Sequence, residues 1–325
     1  IKLAGIEKHD IAIDDIVFRI GPRINAAGRM ESGKSAVDLL CAEDDSIASE
    51  MGSVVNLCNN NRKEVDRTIT HEALRLIANN PELQRKNSTV LYNPEWSKGV
   101  VGIVASRLIE TYYRPTVVLT ESNGFATGSA RSVPGFDLYQ AIESCADLLE
   151  NFGGHMYAAG LTMKIENVPI FIERFDKYVS DNIQPEMLIP QIDIDERLDF
   201  KEIDEKFYRI LKQFQPFGPG NMSPVFVTEN VYDAGDSRLV GNDKEHIKLS
   251  LIQEDNPKMF QGIAFQMAEH FKRIQKGGFS ICYSITENVF RGISSIQLRI
   301  KDIQHFSEYL DELEEGYDED SAGRG

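Results

Sequence analysis

Gly153-Gly154-His155-Met156-Tyr157-Ala158-Ala159-Gly160, with Gly128-Ser129-Ala130-Arg131-Ser132 upstream of it, is the most informative text in this chain. Each segment sets one charged or titratable side chain among residues small enough to let a phosphate approach the backbone. Gly153 and Gly154 lack Cβ atoms and have freedom in φ, so consecutive N–H groups can converge on an anion. His155 and Arg131 add charge-assisted donors, and a guanidinium holds a phosphate bidentately. An isolated Gly-Gly-His is a tight turn with a satisfied histidine. Two such segments together point to an anion site.

Four motifs in order, Gly21-Pro22-Arg23-Ile24-Asn25-Ala26-Ala27-Gly28-Arg29-Met30, then Trp96 to Leu108, then Gly128 to Asp137, then Gly153 to Gly160, extend this reading. With these residues the chain resembles the C-terminal half of the RecJ family, single-strand-specific DNA exonucleases of the DHH phosphoesterase superfamily. The resemblance runs along nearly the whole sequence. It implies an exonuclease acting from the 5′ end of single-stranded DNA, in recombination and repair, with Mn²⁺ or Mg²⁺ held by aspartates and an Asp-His-His triplet. No Asp-His-His occurs here, and His9, His71, His155, His246, His270 and His305 stand singly. A two-metal site needs clustered carboxylates and imidazoles, so no metal ligands are expected in this chain. It reads as a fragment without the catalytic domain, inactive by itself. The family more often has His-Pro where Ser97-Lys98 stands.

Composition sets outer bounds. Among 325 residues, 42% are hydrophobic, enough for two or three cored domains. No apolar run reaches membrane-span length. Cys41, Cys58, Cys145 and Cys282 are widely spaced, which argues against zinc or a disulfide framework and for a reducing cytoplasm. The net charge of −16 speaks against nonspecific DNA binding. That charge is uneven: Phe306 to Gly325 holds eight acids and one Arg, whereas Arg85 to Ile165 holds seven of each sign. A local basic groove remains compatible with the total.

The periodicity predicts an α/β domain, a sheet covered by helices, reached by a long connecting helix and followed by an oligonucleotide-binding (OB)-like β-barrel. Residues 1–45 read as the end of a preceding catalytic domain, with Ile11 to Ile20 alternating and then broken at Gly21-Pro22. Residues 46–84 are the connecting helix, its start marked by Asp44-Asp45-Ser46 and its middle, Asn59 to Glu64, solvated. Residues 85–185 are the α/β domain, with strands at Thr89–Tyr92, Pro115–Thr120, Phe125–Ser132 and Leu161–Ile165. Helices are expected at Gly99–Tyr112, Val168–Val179 and from Asp137 to Phe152. Residues 186–305 are the barrel. Its strands are expected at Gln191–Asp195, Val225–Val231, His246–Gln253, Met259–Ala264, Ser280–Thr286 and Ser295–Lys301, with helices at Phe200–Phe214 and Met267–Arg273. Residues 306–325 form an acidic tail, expected to be disordered.

Gly28 to Ser35 matches the Walker A expression letter for letter. A phosphate-binding loop needs a buried strand before it, and Pro22 to Ala27 is no such strand, so the match is a coincidence of letters. The resemblance places Arg23, Asn25 and Arg29 beside the scissile phosphate, where two arginines among small residues suit backbone contact. Ser129 and Arg131, two apart on a strand, face one side. With Gly153 and Gly154 they complete the expected phosphate-binding set, and His155 is the candidate catalytic residue, donating to a phosphate oxygen or a leaving group. Trp96 is expected in the core, and the helix after Lys98 offers free N–H groups to an anion. Phe214, Phe217, Phe226 and Tyr232 are candidate base-stacking aromatics. Single-stranded DNA is the expected ligand, repair or replication proteins the expected partners. The alternatives are a phosphoesterase for short oligonucleotides or cyclic dinucleotides, which has no use for a strand-tracking barrel, and an inactive single-strand-binding scaffold.

Overall fold

The computed structural model describes residues 1–6, 11–254, 256–290 and 293–306. His9 and the expected disordered tail from residue 307 lie outside the described residues. Two units emerge, Ile1–Gln191 and Ile192–Gly325, and each is described by itself.

The first unit opens with helices. A turn at Ile13–Asp15 leads into a π turn at Ile16–Ile20 and then α1, Gly21–Met30. The alternation of Ile11 to Ile20 is therefore helical, and Gly21-Pro22 is no break. Pro22 falls in the first turn of α1, where its missing N–H is not needed. Ser32 caps α2, Gly33–Leu40, by accepting from the Lys34 N–H. Asp44 Oδ1 accepts from the N–H groups of Ser46 and Ile47 at 2.8 and 3.1 Å, starting α3, Asp45–Ala78. At 34 residues α3 spans about 51 Å. Its middle is less solvated than its letters suggest. Asn60, Asn61, Lys63 and Glu64 are exposed, but Asn59 is buried and accepts from Arg62 Nη2 at 3.0 Å.

The sheet that follows has the order β1-β2-β3-β5-β4: Thr89–Tyr92, Thr116–Ser122, Phe125–Arg131, Ala158–Lys164 and Leu149–His155. β1 and β2 are parallel, joined through α4, Val101–Thr111; the other pairs are antiparallel. One sheet face packs against α5, Leu138–Glu143, and α6, Val168–Asn182, around Leu119, Ala130, Leu161, Met163, Phe171 and Phe175. The other packs α4 and α3 around Val104, Leu108, Val118 and the buried Trp96. Asp137 caps α5 as expected, yet the helix ends at Glu143 rather than Phe152. Leu149, Phe152 and neighbours mimic a helical stripe, but Leu149–His155 pairs with β5 as an edge strand. Gly153, Gly154 and His155 thus belong to a strand, not to a loop.

Gly128 has a packing reason to be glycine. A Cβ there would meet Val118 O at 2.0 Å and Leu119 Cα at 2.9 Å, both backbone.

The second unit is a barrel. β6, Glu196–Arg197, precedes α7, Glu205–Leu211; β7 is Phe226–Asp233, β8 Arg238–Val240, β9 His246–Gln253 and β10 Asn256–Ala264. The short α8, Phe271–Ile274, leads to the long hairpin of β11, Phe279–Phe290, and β12, Ile293–His305. β7 pairs with β9, β9 with β10, β10 in parallel with β12, β12 with β11, and β11 with β7, so the ring closes. Five strands so closed, with a helix between the third and fourth, form an OB fold. Inward residues Ile247, Leu249, Leu251, Phe260, Ile281, Leu298 and Ile300 fill it. Tyr283 is wholly buried; burial pushes its phenol pKa up, and its hydroxyl shares a 2.7 Å hydrogen bond with Thr228 Oγ1.

Three local expectations change. Gln191–Asp195 is not a strand; Asp195 Oδ2 instead accepts from the Val225 N–H at 2.8 Å, and pairing starts at Glu196. Phe200–Phe214 is not one helix, because Asp204 starts a new one by capping α7 through the Phe207 N–H. Phe226 is buried against Phe207 and Tyr283, so it presents no stacking surface.

The Walker-like letters straddle two helices. Gly28 lies in α1 and Lys34 in the first turn of α2. A helix stands where a nucleotide-binding loop needs a strand. Titration calorimetry with millimolar ATP and Mg²⁺ should therefore show no binding heat, and a micromolar affinity abolished by Lys34→Ala would contradict this assignment. The sheet yields a second expectation. Gly128→Ala should destabilise the first unit by about 1–3 kcal/mol, whereas Gly153→Ala, with nothing within 4 Å of a Cβ, should stay within about 0.5 kcal/mol. Denaturation followed by the single tryptophan, Trp96, checks both; equal losses would refute the difference in packing.

Candidate functional site

The strand register brings the two glycine-rich segments together. Ser129 on β3 pairs with Gly160 on β5, and Gly160 with Gly153 on β4; Arg131 pairs with Ala158, and Ala158 with His155. Paired and alternate residues of an antiparallel sheet share a face. Ser129, Arg131, Gly153, Gly160, Ala158 and His155 therefore line one surface. Two of its six positions lack a side chain and a third carries only a methyl group, so the backbone between Arg131 and His155 is nearly bare. The helix α4 packs over β2 and β3, while Gly153, His155 and Gly160 are exposed.

Gly154 lies on the opposite face with φ of 153°, and a Cβ there would meet Ala158 O at 2.2 Å. Its glycine is required by the hairpin itself. His155 Nδ1 accepts from the Tyr157 N–H at 3.2 Å. That bond leaves the proton of the neutral ring on Nε2, available as a donor. Tyr157 sits edge-on to the imidazole, with centroids 6.2 Å apart.

Arg131 is half-buried. Its Nη1 donates to Ser129 Oγ at 2.8 Å and to Ala130 O at 2.7 Å, which orients the fork. Burial lowers its pKa, and the positive charge of Arg29 lowers it further. Arg29 arrives from α1; its Nη1 donates to Gly99 O at 3.1 Å. Gly99 must be glycine for this contact, since a Cβ would stand 2.2 Å from Arg29 O. At Gly102 a Cβ would meet Arg131 Nη2 and Ser129 Oγ, both at 3.1 Å. Among the described residues, neither Arg29 nor Arg131 has an acidic partner. Two cations are thus held close without a counter-charge from those residues.

A cleft of about 470 Å³ opens here, walled by Arg29, Arg131, Gly102, Ile103, Ser106, Arg107 and Glu110. Ser106 and Arg107 line the cleft; both lie within the Trp96 to Leu108 motif but were not among the expected site residues. The signal available was positional: both lie off the apolar stripe of α4, Val101, Val104, Ala105 and Leu108. Arg107 Nη2 is tied at 2.9 Å to Asp66 Oδ2, a wholly buried carboxylate on α3 that also has Arg62 Nη1 at 3.6 Å and Thr70 Oγ1 at 3.4 Å.

Arg23 stands apart from this cleft. Its Nε donates to Asn56 Oδ1 at 3.0 Å, Nη1 to Arg19 O at 2.6 Å and Nη2 to Leu3 O at 3.0 Å, so its fork ties α1 to α3 and the N-terminal turn. Asn25 is exposed one turn before Arg29 and on the same helix face. Among the described residues, no three His, Cys, Asp or Glu side chains come together to hold a metal ion, so the donor set here fits a phosphate and not a cation. Nor, among them, is any helix long and apolar enough to cross a membrane.

Comparison with known proteins bears on the family of the chain. Residues 86–181 match the DHHA1 domain and residues 194–302 the RecJ OB domain. The chain is 33% identical over 307 residues to the single-stranded-DNA-specific exonuclease RecJ of Bacillus subtilis (strain 168), covering 93% of this chain and 38% of that protein. RecJ from Thermus thermophilus in complex with Mn²⁺ aligns with a TM-score of 0.75 at 25% identity, over 90% of this chain and 41% of that one. The same protein in complex with Mg²⁺ gives 0.76 at 24% identity, over 94% and 46%. The chain spans less than half the length of these relatives. Two domain matches in the order of the two units, within one alignment running nearly end to end, show that the chain belongs to the RecJ family of the DHH superfamily.

Proposed function

We propose that the parent protein is a metal-dependent exonuclease that degrades single-stranded DNA from its 5′ end in recombination and repair, and that this chain supplies the phosphate-binding wall and the strand-gripping barrel. In this reading residues 1–45 close a catalytic domain, α3 connects it to the α/β domain, and the Mn²⁺ or Mg²⁺ is held elsewhere in the parent. When bound, such ions activate water and offset charge on the phosphate. No step through a metal is assigned to this chain, and the chain alone cleaves nothing. Repair or replication proteins as partners, and a cytoplasmic setting, belong to the same proposal.

The observation that carries the reading is the pair Arg29 and Arg131, like charges held together over a side-chain-poor strand surface with no acidic partner among the described residues. A phosphate placed there gains charge-assisted hydrogen bonds and relieves the repulsion. Ser129 orients the Arg131 fork, and Gly153 and Gly160 let the sugar–phosphate backbone lie close to the sheet. His155, exposed and with Nε2 left as its donor, donates to a phosphate oxygen or leaving group at the far end of the same row. Arg23, Asn25 and Gly154 act as supports for this set rather than as contacts of equal weight.

In the parent enzyme, Arg131→Ala should cost about 1.5–3 kcal/mol, hence roughly ten- to hundredfold in kcat/KM. Losing one phosphate contact should also flatten the log–log salt dependence of strand binding by about 0.7. Arg131→Lys keeps the charge without the fork and should recover only part of the loss. Deleting the barrel from Gln191 onward should weaken binding of long strands far more than cleavage of the shortest. Unchanged rate and salt slope in both Arg131→Ala and His155→Ala would reduce these strands to ordinary structure.

A further inference from the structure

Four basic residues stand in line on the exposed side of the connecting helix. Lys63, Arg67, His71 and Arg75 recur every four residues of α3, and all four are exposed. Residues four apart on a helix are surface neighbours, so the row steps along α3 at about 6 Å and covers about 18 Å. Like charges at this spacing repel, and the acids best placed to neutralise them are engaged elsewhere. Asp66, three residues from Lys63, is wholly buried and holds Arg62 and Arg107. Glu72, three residues from Arg75, accepts from Asn93 Nδ2 and Trp96 Nε1, each at 3.1 Å. Among the described residues Lys63, Arg67 and Arg75 are in no ion pair. The row persists unneutralised in a chain of net charge −16.

A cavity of about 560 Å³ opens at the C-terminal end of the row, lined by His71, Arg75, Leu76 and Asn79 among others. Leu76 is 45% exposed there, an apolar wall beside two basic groups. Among the described residues no aromatic ring lines this cavity, and Trp96, tied to Glu72, is buried. Sequence-tolerant binding of a nucleic-acid strand joins cations to stacking rings. This face joins them to an aliphatic side chain instead. Alternate residues of an extended chain point the same way and recur about every 6.7 Å, close to the step of the row.

We propose that this face of α3 docks an extended acidic segment of another protein, alternate carboxylates pairing with Lys63, Arg67, His71 and Arg75 and an apolar side chain at one end seated against Leu76. Exposed ion pairs are individually weak, so the four act as a series, and the apolar contact fixes the register. Complementary charge along a line also speeds encounter and disfavours basic partners. The row shares no residue with the cleft of Arg29 and Arg131, and the inference stands whether or not that cleft binds phosphate.

The test is fluorescence anisotropy of the whole chain with a labelled synthetic peptide, four Ser-Glu repeats followed by Leu, at low salt. Arg67→Glu with Arg75→Glu should weaken peptide binding about tenfold or more, while Arg67→Lys with Arg75→Lys should keep most of it. Both positions are exposed on the helix, where substitution is close to neutral for folding. Replacing the leucine of the peptide by glycine should weaken binding about fivefold, and Leu76→Gln should erase that difference. An oligothymidine of about 12 nucleotides, measured in parallel, should bind the unmodified and the charge-reversed chain equally. Peptide binding that survives the reversal places the anion elsewhere, the arginine cleft included, and overturns the proposal. So does the absence of peptide binding by the unmodified chain. A reversal that weakens oligothymidine and spares the peptide makes the row a strand track and overturns it as well.

Discussion

Close approaches at two glycines hold the arginines on which the proposed phosphate site depends. At Gly99 the chain comes so close to Arg29 that a Cβ would sit 2.2 Å from its carbonyl oxygen, and the Gly99 carbonyl in turn accepts from the Arg29 guanidinium. At Gly102 the first turn of α4 leaves room for Arg131 Nη2 and Ser129 Oγ. A larger residue at Gly99 would push α1 away from α4, and one at Gly102 would displace the Arg131 and Ser129 side chains by a few tenths of an ångström, so the two cations would no longer converge in the same way. The repulsion between Arg29 and Arg131 is then offset by the packing of three elements. Such stored cost is what an incoming phosphate can release.

The connecting helix takes part in this arrangement. Asp66, wholly buried on α3, fixes Arg107 at the cleft and is satisfied by Arg62 and Thr70. A buried carboxylate with one partner removed is costly, so the α3 to α4 contact is specific as well as apolar. This explains why the polar middle of α3 is not simply solvated. Arg23 serves in the same way at the other end, binding α1 to α3 through Asn56.

The sequence made the architecture legible where local chemistry dominates. Asp44 and Asp137 cap helices, and Thr89–Tyr92 and His246–Gln253 are strands to the residue. It misled where a partner strand or a neighbouring element decides. Leu149 to His155 looks helical by spacing, and only pairing with β5 makes it a strand. The direction of an arginine is equally invisible in a motif. Arg23 and Arg29 share one segment, yet one braces helices and the other faces the cleft. Arg107 lies inside the Trp96 to Leu108 motif, yet its place at the cleft depends on packing against Asp66 of a distant helix, which the motif does not show. Net charge misled in a different sense: a total of −16 hides a cleft with three arginines and one glutamate.

The central claim is that Arg29 and Arg131 share one phosphate. Arginine side-chain Nε–Hε resonances followed by NMR during titration of the chain with a 5′-phosphorylated thymidine dinucleotide test it most directly. The account predicts that the Arg29 and Arg131 signals shift together and saturably, with one dissociation constant, while Arg23 stays fixed. Saturable binding that moves Arg23 alone, or leaves Arg29 and Arg131 unshifted, would contradict it.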